Sequence, residues 1–367
     1  MRVILLVLDG FPVSAVTPGL TPELWSLGEN GGHAPDGGRC ELPSSTYPSH
    51  ATLITGRLPQ HHHVWSSLAS NPRTGVVPGW AGDMYVTIPT LFDECHKAKI
   101  KCAAIIGDHK LYSIIRSDTA DYSWPLNGII PIGIPTDAYG YPTNKAVFPY
   151  LYKIIRNKSF PFIFAQLNES DTIEHLYGPD SLEARTFYRE TDSLIGELIY
   201  VLKEDWSSTV LIVISDHGME SLLSKTPIDL HANNHLRELV KDFVDEDGCC
   251  LVLLHPGVEL EQLRPIIADL PGVKGWRNSG SKFIILEAEL GYVFGTLKET
   301  KNRGIHGGQG STRLVTIVGG GHPVVRTIAE AIRSHPPHLA DWAPTIASLL
   351  SLPFHLIDGH NLISPRE

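Results

Sequence analysis

A chain of 367 residues with 42% hydrophobic content is long enough for one large α/β domain carrying a smaller insertion. Its formal charge of −10 excludes broad binding to nucleic-acid polymers or anionic membranes, and leaves room for a local positive site that takes a small anionic substrate. Five cysteines (Cys40, Cys95, Cys102, Cys249 and Cys250), an odd set with no CxxC spacing, point to reduced thiols in a cytoplasm and to neither a disulfide framework nor a cysteine zinc cluster.

The opening MRVILLVLDGF is too short, and interrupted too soon by Asp9, for a signal peptide or spanning helix, so Val3 to Leu8 reads as the first strand. A helix is expected from Thr21-Pro22, where proline suits the first turn. In TYPSHATLITG (46 to 56), Pro48 stands as a first-turn proline and Thr46 as a cap at a helix amino terminus, where partial positive charge favours anions. Most such threonines only cap; the chemical alternative is a hydroxyl nucleophile. The span from Gly56 to Pro89 reads as a long irregular excursion edging a substrate site, with Trp65, Trp80 and Tyr85 available to stack on a base or simply to pack. His61-His62-His63 reads as a solvated loop within it.

Helices are then expected from Ile88-Pro89, over Asn144 to Arg156 and over Ser181 to Leu202, alternating with strands Cys102 to Ile106, Phe160 to Leu167 and Val210 to Ile214. Between Gly218 and His306 the pattern changes to a polar stretch, CCLVLLH, an amphipathic piece from Glu259 to Leu270, GVKGW and KFIILEAELGYVF, which reads as a small β-α-β-β cap. The alternation resumes with a strand from Leu314 to Val318 and a helix from Asp341 to Leu350. Residues 1–222 and 304–367 therefore form the larger domain, with 223–303 inserted into it. The expected class is α/β, a mostly parallel central sheet with helices on both faces and an inserted α+β cap.

Three of these strands end on metal-capable side chains. VILLVLDG ends on Asp9, FPFIFAQLNESDTIEH leads into Asp171 and His175, and VLIVISDHGME stops on Asp216-His217. Ligands gather at the carboxyl ends of strands in open α/β sheets, so these groups can converge despite their separation in sequence. Asp171 and His175, four apart, share one helix face; alone they would be a surface contact. A second histidine comes from GIHGGQG, where glycines let the backbone close around an ion, and His322 in GGGHP is the reserve for the same role. Three carboxylates and three imidazoles (Asp9, Asp171, Asp216, His175, His217, His306) suit zinc, or manganese, and are enough for two ions.

LDGF, TYPSHATLITG, DTIEHLYGP, SDHGM and IHGG, in this order along nearly the whole chain, resemble the type I phosphodiesterase/nucleotide pyrophosphatase family of the alkaline phosphatase superfamily. The cap and the C-terminal DWAPTIASLLSLPFHLIDGHNL resemble the family's too. The resemblance implies an alkaline-phosphatase-like fold. It also implies one divalent ion on Asp171, His175 and His306, and another on Asp9, Asp216 and His217 with Thr46. Two cations about 4 Å apart stabilise attacking and leaving oxygens in an in-line displacement. The implied course is attack by Thr46, a covalent phosphorylated or nucleotidylated threonine, and its hydrolysis, with a nucleotide or dinucleotide as substrate and a cyclic dinucleotide signal among the options.

One departure concerns the asparagine that the family places after this stretch to bond a phosphoryl oxygen. Here PQHHHVWSS puts His63 where a glycine is usual and Ser67 where the asparagine falls, with Asn71 as the other candidate donor. Loss of one such donor costs about 3 kcal/mol. A sulfatase is excluded, because the nucleophile stretch lacks the C/S-x-P-x-R pattern. A phosphonoacetate hydrolase-like activity shares the threonine and metal set and needs a cation such as Lys110, Lys145 or Arg73; a phosphomonoesterase is a further option. A metal-stabilised binding protein is the non-enzymatic alternative.

Overall fold

The strand β1 (Arg2–Leu8) is buried along its whole length because both of its faces are covered. Val3, Leu5 and Val7 enter one hydrophobic cluster and Ile4, Leu6 and Leu8 another, the alternation that an extended backbone imposes. In the computed structural model, residues 1–67, 83–224, 226–279, 283–295, 302–355 and 357–364 are described. The strands β2 (Gly32–His33), β3 (Cys102–Ile106), β4 (Tyr122–Trp124), β5 (Phe162–Leu167), β6 (Thr209–Ile214) and β7 (Thr316–Gly319) join β1 in one sheet, in the order β2-β7-β6-β1-β5-β3-β4. All pairings from β6 through β4 are parallel, whereas β7 runs antiparallel to β6 and to β2.

Helices cover both faces. One cluster takes Leu24 and Leu27 from α1 (Pro22–Asn30), and Phe148 and Leu151 from a helix that spans Asn144–Arg156. Leu198, from the helix Leu182–Leu202 with Ser181 as its hydrogen-bonded N-cap, packs there too. The other takes Leu53 and Ile54 from α2 (Thr46–Thr55), Phe92 from α3 (Leu91–Lys97), and Ile328 and Ile346 from helices Val324–Ser334 and Trp342–Leu349. Fully burying each such side chain contributes about 1.5–3 kcal/mol. Among the described residues no helix is long and apolar enough to cross a membrane.

Several local expectations are corrected. Pro89 lies outside its helix: Thr90 is the N-cap and forms a capping box with Asp93, so the helix begins at Leu91. Leu314 to Val318 is two strands, since Arg313–Leu314 pairs with Gly38–Arg39 before Thr316–Gly319 joins the main sheet. His62 is fully buried, hydrogen-bonded to Thr52 Oγ1 at 3.0 Å and to the N–H of Val64 at 3.0 Å, and burial lowers its pKa to about 3. His61 is exposed but helical, with Nδ1 2.7 Å from Asp358 Oδ2, so only His63 fits a solvated loop. Trp65 is 3% exposed and meets Phe283 edge-on at 5.0 Å, so it is a packing residue. Tyr85 is exposed. Trp80 lies outside the described residues.

Between Gly218 and His306 stands a separate antiparallel sheet of four strands, in the order Val273–Asn278, Ile284–Ala288, Cys249–Leu254, Val240–Glu246. It has one strand more than expected, because the polar stretch before CCLVLLH pairs with it as a hairpin. The helix Leu260–Ala268 packs Leu263 and Ile267 on one face, and Leu42 and Trp65 pack with Leu251 and Ile285 on the other. The hairpin tip presses on the loop that carries His306. Gly248 donates its N–H to the His306 carbonyl at 2.8 Å, and Gly307, at φ 85, leaves no space for a side chain, because a Cβ there would lie 1.9 Å from the Glu246 carbonyl oxygen. Gly307→Ala should therefore cost at least ~2 kcal/mol in a urea unfolding experiment, from left-handed strain plus displaced backbone. A variant as stable as the parent would show that the two segments do not pack so closely.

Candidate metal centre

Asp9 follows β1, Asp216 and His217 follow β6, and Asp171 and His175 sit on the helix α4 (Glu169–Tyr177) that follows β5. Parallel strands deliver all of these to one end of the sheet. His306 reaches the same end because its loop precedes the antiparallel β7. His322 follows β7 and emerges at the other end, its N–H 3.4 Å from the carbonyl of Thr209 at the start of β6, so the reserve role is excluded by strand direction.

Oxygen and imidazole donors of Asp9, Asp216 and His217 lie within 4.8 Å of one another, as do those of Asp171, His217 and His306, and those of His175, Asp247 and His306. Within the first group, His217 Nε2 is 3.3 Å from Asp9 Oδ1 and 3.5 Å from Asp216 Oδ2. Asp171 Oδ1 is 3.4 Å from His175 Nε2 and 3.6 Å from His306 Nε2. The His217 and His306 rings stack at 4.1 Å. Thr46 Oγ1 stands 3.4 Å from Asp9 Oδ1 and 3.3 Å from His217 Nε2. Thr46 is the first helical residue of α2, not its cap. Ser45 holds the cap position without a side-chain cap bond, which leaves the Thr46 hydroxyl for the cluster.

The chemistry of the donors fits cations. His175 Nδ1 donates to the Gly304 carbonyl at 2.9 Å and His217 Nδ1 to that of Gly218 at 3.0 Å, so in each ring Nε2 is the nitrogen that faces the centre. Among the described residues, Asp171 Oδ1 and Asp216 Oδ2 are buried without a hydrogen-bond donor. Gln166 Nε2 holds Asp9 Oδ2 at 2.6 Å, Gly10 N–H donates to Asp216 Oδ1 at 3.1 Å, and His50 Nδ1 bonds the Thr46 carbonyl at 2.8 Å while standing 3.3 Å from Asp216 Oδ2. None of Gln166, His50 and Asp247 is singled out by sequence reasoning. His50 was within reach as the residue four after Thr46, and Asp247 through the Asp-Gly turn in VDEDGCC.

Burial and the Asp216 charge raise the Asp9 pKa, and burial raises that of Asp171 to about 6. For His217, burial opposes the charged form, but Asp216, Asp9 and Asp171 outweigh it and raise its pKa to about 10. Burial together with the charges of His217 and His175 keeps His306 neutral. Ion-free, the centre thus holds a proton on His217 at neutral pH, and coordination through Nε2 must expel it.

Ser67 Oγ accepts the N–H of Tyr47 at 2.9 Å beside the start of α2. Its own N–H donates to Glu246 Oε1 and Oε2 at 3.1 and 3.2 Å, and Glu246 also accepts from Ser45 at 3.0 Å and from the Ser66 hydroxyl. Asn71 and Arg73 lie outside the described residues. Lys145 is paired with Glu190 at 2.8 Å on the surface, and Lys110 bonds the Tyr141 hydroxyl at 3.1 Å.

A model of the family described as type I phosphodiesterase / nucleotide pyrophosphatase matches residues 3–265. Over 231 residues the chain is 30% identical to an uncharacterized pyrophosphatase/phosphodiesterase of Schizosaccharomyces pombe, covering 59% of this chain and 44% of that one. It is 26% identical over 224 residues to human ectonucleotide pyrophosphatase/phosphodiesterase family member 1, covering 58% of this chain and 23% of that protein. The chain thus spans less than half the length of either. The solved structure of murine ectonucleotide pyrophosphatase/phosphodiesterase 5, an inactive form in complex with AMP, superposes with a TM-score of 0.74 at 18% identity over 98% of this chain and 97% of that one. That likeness shows the alkaline-phosphatase-like fold.

Adding zinc to ion-free protein at pH 7 in weak buffer should release about one proton per protein or more, read with a pH indicator, and apparent affinity should fall as the pH drops. Zinc uptake without proton release would contradict a charged His217.

Proposed function

The chain belongs to the type I phosphodiesterase/nucleotide pyrophosphatase family, and we propose that it is a metal-dependent hydrolase of a nucleotide-like phosphodiester or pyrophosphate, with Thr46 as nucleophile. The observation that carries this reading is the position of Thr46 Oγ1, at the first residue of a helix and within 3.4 Å of both Asp9 and His217. We assign one divalent ion, zinc or manganese, to Asp171, His175 and His306 and a second to Asp9, Asp216, His217 and Thr46. Such ions, when bound, lower the pKa of a coordinated hydroxyl and neutralise charge on the transferred group.

The chain's own groups do the rest. Oγ1 of Thr46 attacks phosphorus as its proton passes to solvent, and the bond from phosphorus to the leaving oxygen breaks with that oxygen taking a proton from solvent, giving a covalent threonine ester. Water then attacks the same phosphorus, breaks the bond to Oγ1 and restores the hydroxyl. His50 fixes the Thr46 backbone through its carbonyl, and Gln166 orients Asp9. Ser67, whose oxygen accepts the Tyr47 N–H, has its hydroxyl proton for a phosphoryl oxygen, the role we give it in place of the family's asparagine. The positive end of α2 favours the same anion.

A nucleotide as substrate is supported by the AMP complex of the murine relative and by the family's description. We read residues 223–303 as an inserted cap subdomain, supported by its separate sheet and hydrophobic cluster. A cytoplasmic location is the reading that the odd cysteine set supports.

With zinc or manganese, the protein should hydrolyse bis(4-nitrophenyl) phosphate and lose that activity to a chelator. Thr46→Ala should lower turnover by about 10³-fold or more with metal content nearly intact, and undiminished turnover in that variant would remove the nucleophile assignment. Nucleotides, dinucleotides, sugar nucleotides and phosphonoacetate, screened against the same pair, identify the substrate. Ser67→Ala should lower kcat by about 10²-fold without changing bound metal; unchanged kcat would deny Ser67 its role.

A further inference from the structure

The tip of the cap hairpin carries an aspartate for which the proposed reaction has no use. Asp247 is the first residue of the two-residue turn between Val240–Glu246 and Cys249–Leu254, and it holds φ 51, a left-handed conformation that aspartate tolerates better than most side chains. Its backbone is fixed there. The Asp247 carbonyl accepts the N–H of Phe294 at 2.8 Å, and the next residue, Gly248, donates to the His306 carbonyl at 2.8 Å. A carboxylate oxygen of Asp247 and a ring nitrogen of each of His175 and His306 lie within 4.8 Å of one another.

The Asp247 carboxylate and His306 are half-buried and His175 is buried, and a carboxylate with two imidazoles in reach matches the donors that a divalent cation takes.

We propose that Asp247 is a ligand to the ion assigned to Asp171, His175 and His306, so that this ion fastens the cap hairpin to the catalytic sheet. The inference rests on the two-ion reading above. Two carboxylates and two imidazoles make four donors, and zinc can expand to five-coordinate, which leaves a position for a substrate oxygen. They come from three places in the chain that only folding brings together: α4, the loop before β7 and the cap.

Competition of zinc against a chromophoric chelator, in wild type, Asp247→Asn and Asp247→Gly, tests it; both substitutions suit φ 51 and remove the charge. Wild type should bind two zinc ions. Each variant should keep the circular dichroism and ion-free melting temperature of the parent while one of its two sites weakens at least about tenfold. Amide hydrogen exchange across residues 240–254 should slow on zinc addition in wild type and not in the variants. Parental affinity and parental zinc-dependent protection in both variants overturn Asp247 as a ligand and leave the two-ion reading standing. A wild type that binds no zinc overturns both.

Discussion

Three carboxylates gathered at one end of a parallel sheet are the constraint to which the rest of the molecule answers. Asp9 and Asp216 are 0% exposed, and Asp171 stands beside them in the same field. Desolvating each costs several kcal/mol, and their mutual repulsion adds to it. The protein's own response is partial. His217 takes a proton, His50 leans on Asp216, Gln166 and the Gly10 N–H donate, and two carboxylate oxygens still lack a donor among the described residues. A centre this unbalanced survives only on a rigid scaffold, which the two hydrophobic clusters on the faces of β1 supply. The same imbalance makes the site selective for positive charge before any substrate arrives.

The separate four-stranded sheet is joined to that centre through backbone, not merely through side chains. Gly307 exchanges hydrogen bonds with Ser44, two residues before Thr46, at 3.0 and 3.3 Å, while the Glu246 carbonyl occupies the space beside it that a side chain would need. Glu246 in turn accepts from Ser45, Ser66 and Ser67. One strand of the four-stranded sheet therefore touches the His306 loop with its carbonyl and the start of the Thr46 helix with its carboxylate. Burial raises the Glu246 pKa to about 7, where among the described residues its partners are hydroxyls and amides. Movement of the cap cannot leave either Thr46 or His306 where it was.

How far this was legible in the sequence depends on whether a residue's neighbours are set locally. Asp9 and Asp216-His217 stand out because an apolar run breaks abruptly into charge, and Asp171 with His175 because helical spacing is local. Asp247 gave no such signal: Asp-Gly marks a hairpin turn anywhere, and its destination depends on how a whole subdomain docks. The strand before it, VKDFVDE, hid its pairing because it lies at a sheet edge and carries charges there. His62 misled for the opposite reason, since three adjacent histidines look solvated although the short helix Pro59–His62 turns the last of its residues into the core. Thr46 and the true cap differ by one residue, within the ordinary uncertainty of a helix end.

Strand direction accounts for the remaining ambiguity. A ligand after a parallel strand and a ligand before an antiparallel one arrive at the same end of a sheet, and hydrophobic pattern does not distinguish the two directions. From the sequence, His306 before the last strand and His322 after it were therefore both open to the same role. The antiparallel register Thr316–Ile214, Ile317–Val213 and Val318–Ile212 separates them by the length of β7. That single reversal lets a mostly parallel sheet collect a donor from a loop that would otherwise lie on the far side. It also puts the His306 loop next to the four-stranded sheet, because the chain must return from that sheet to the end where the carboxylates gather before β7 begins.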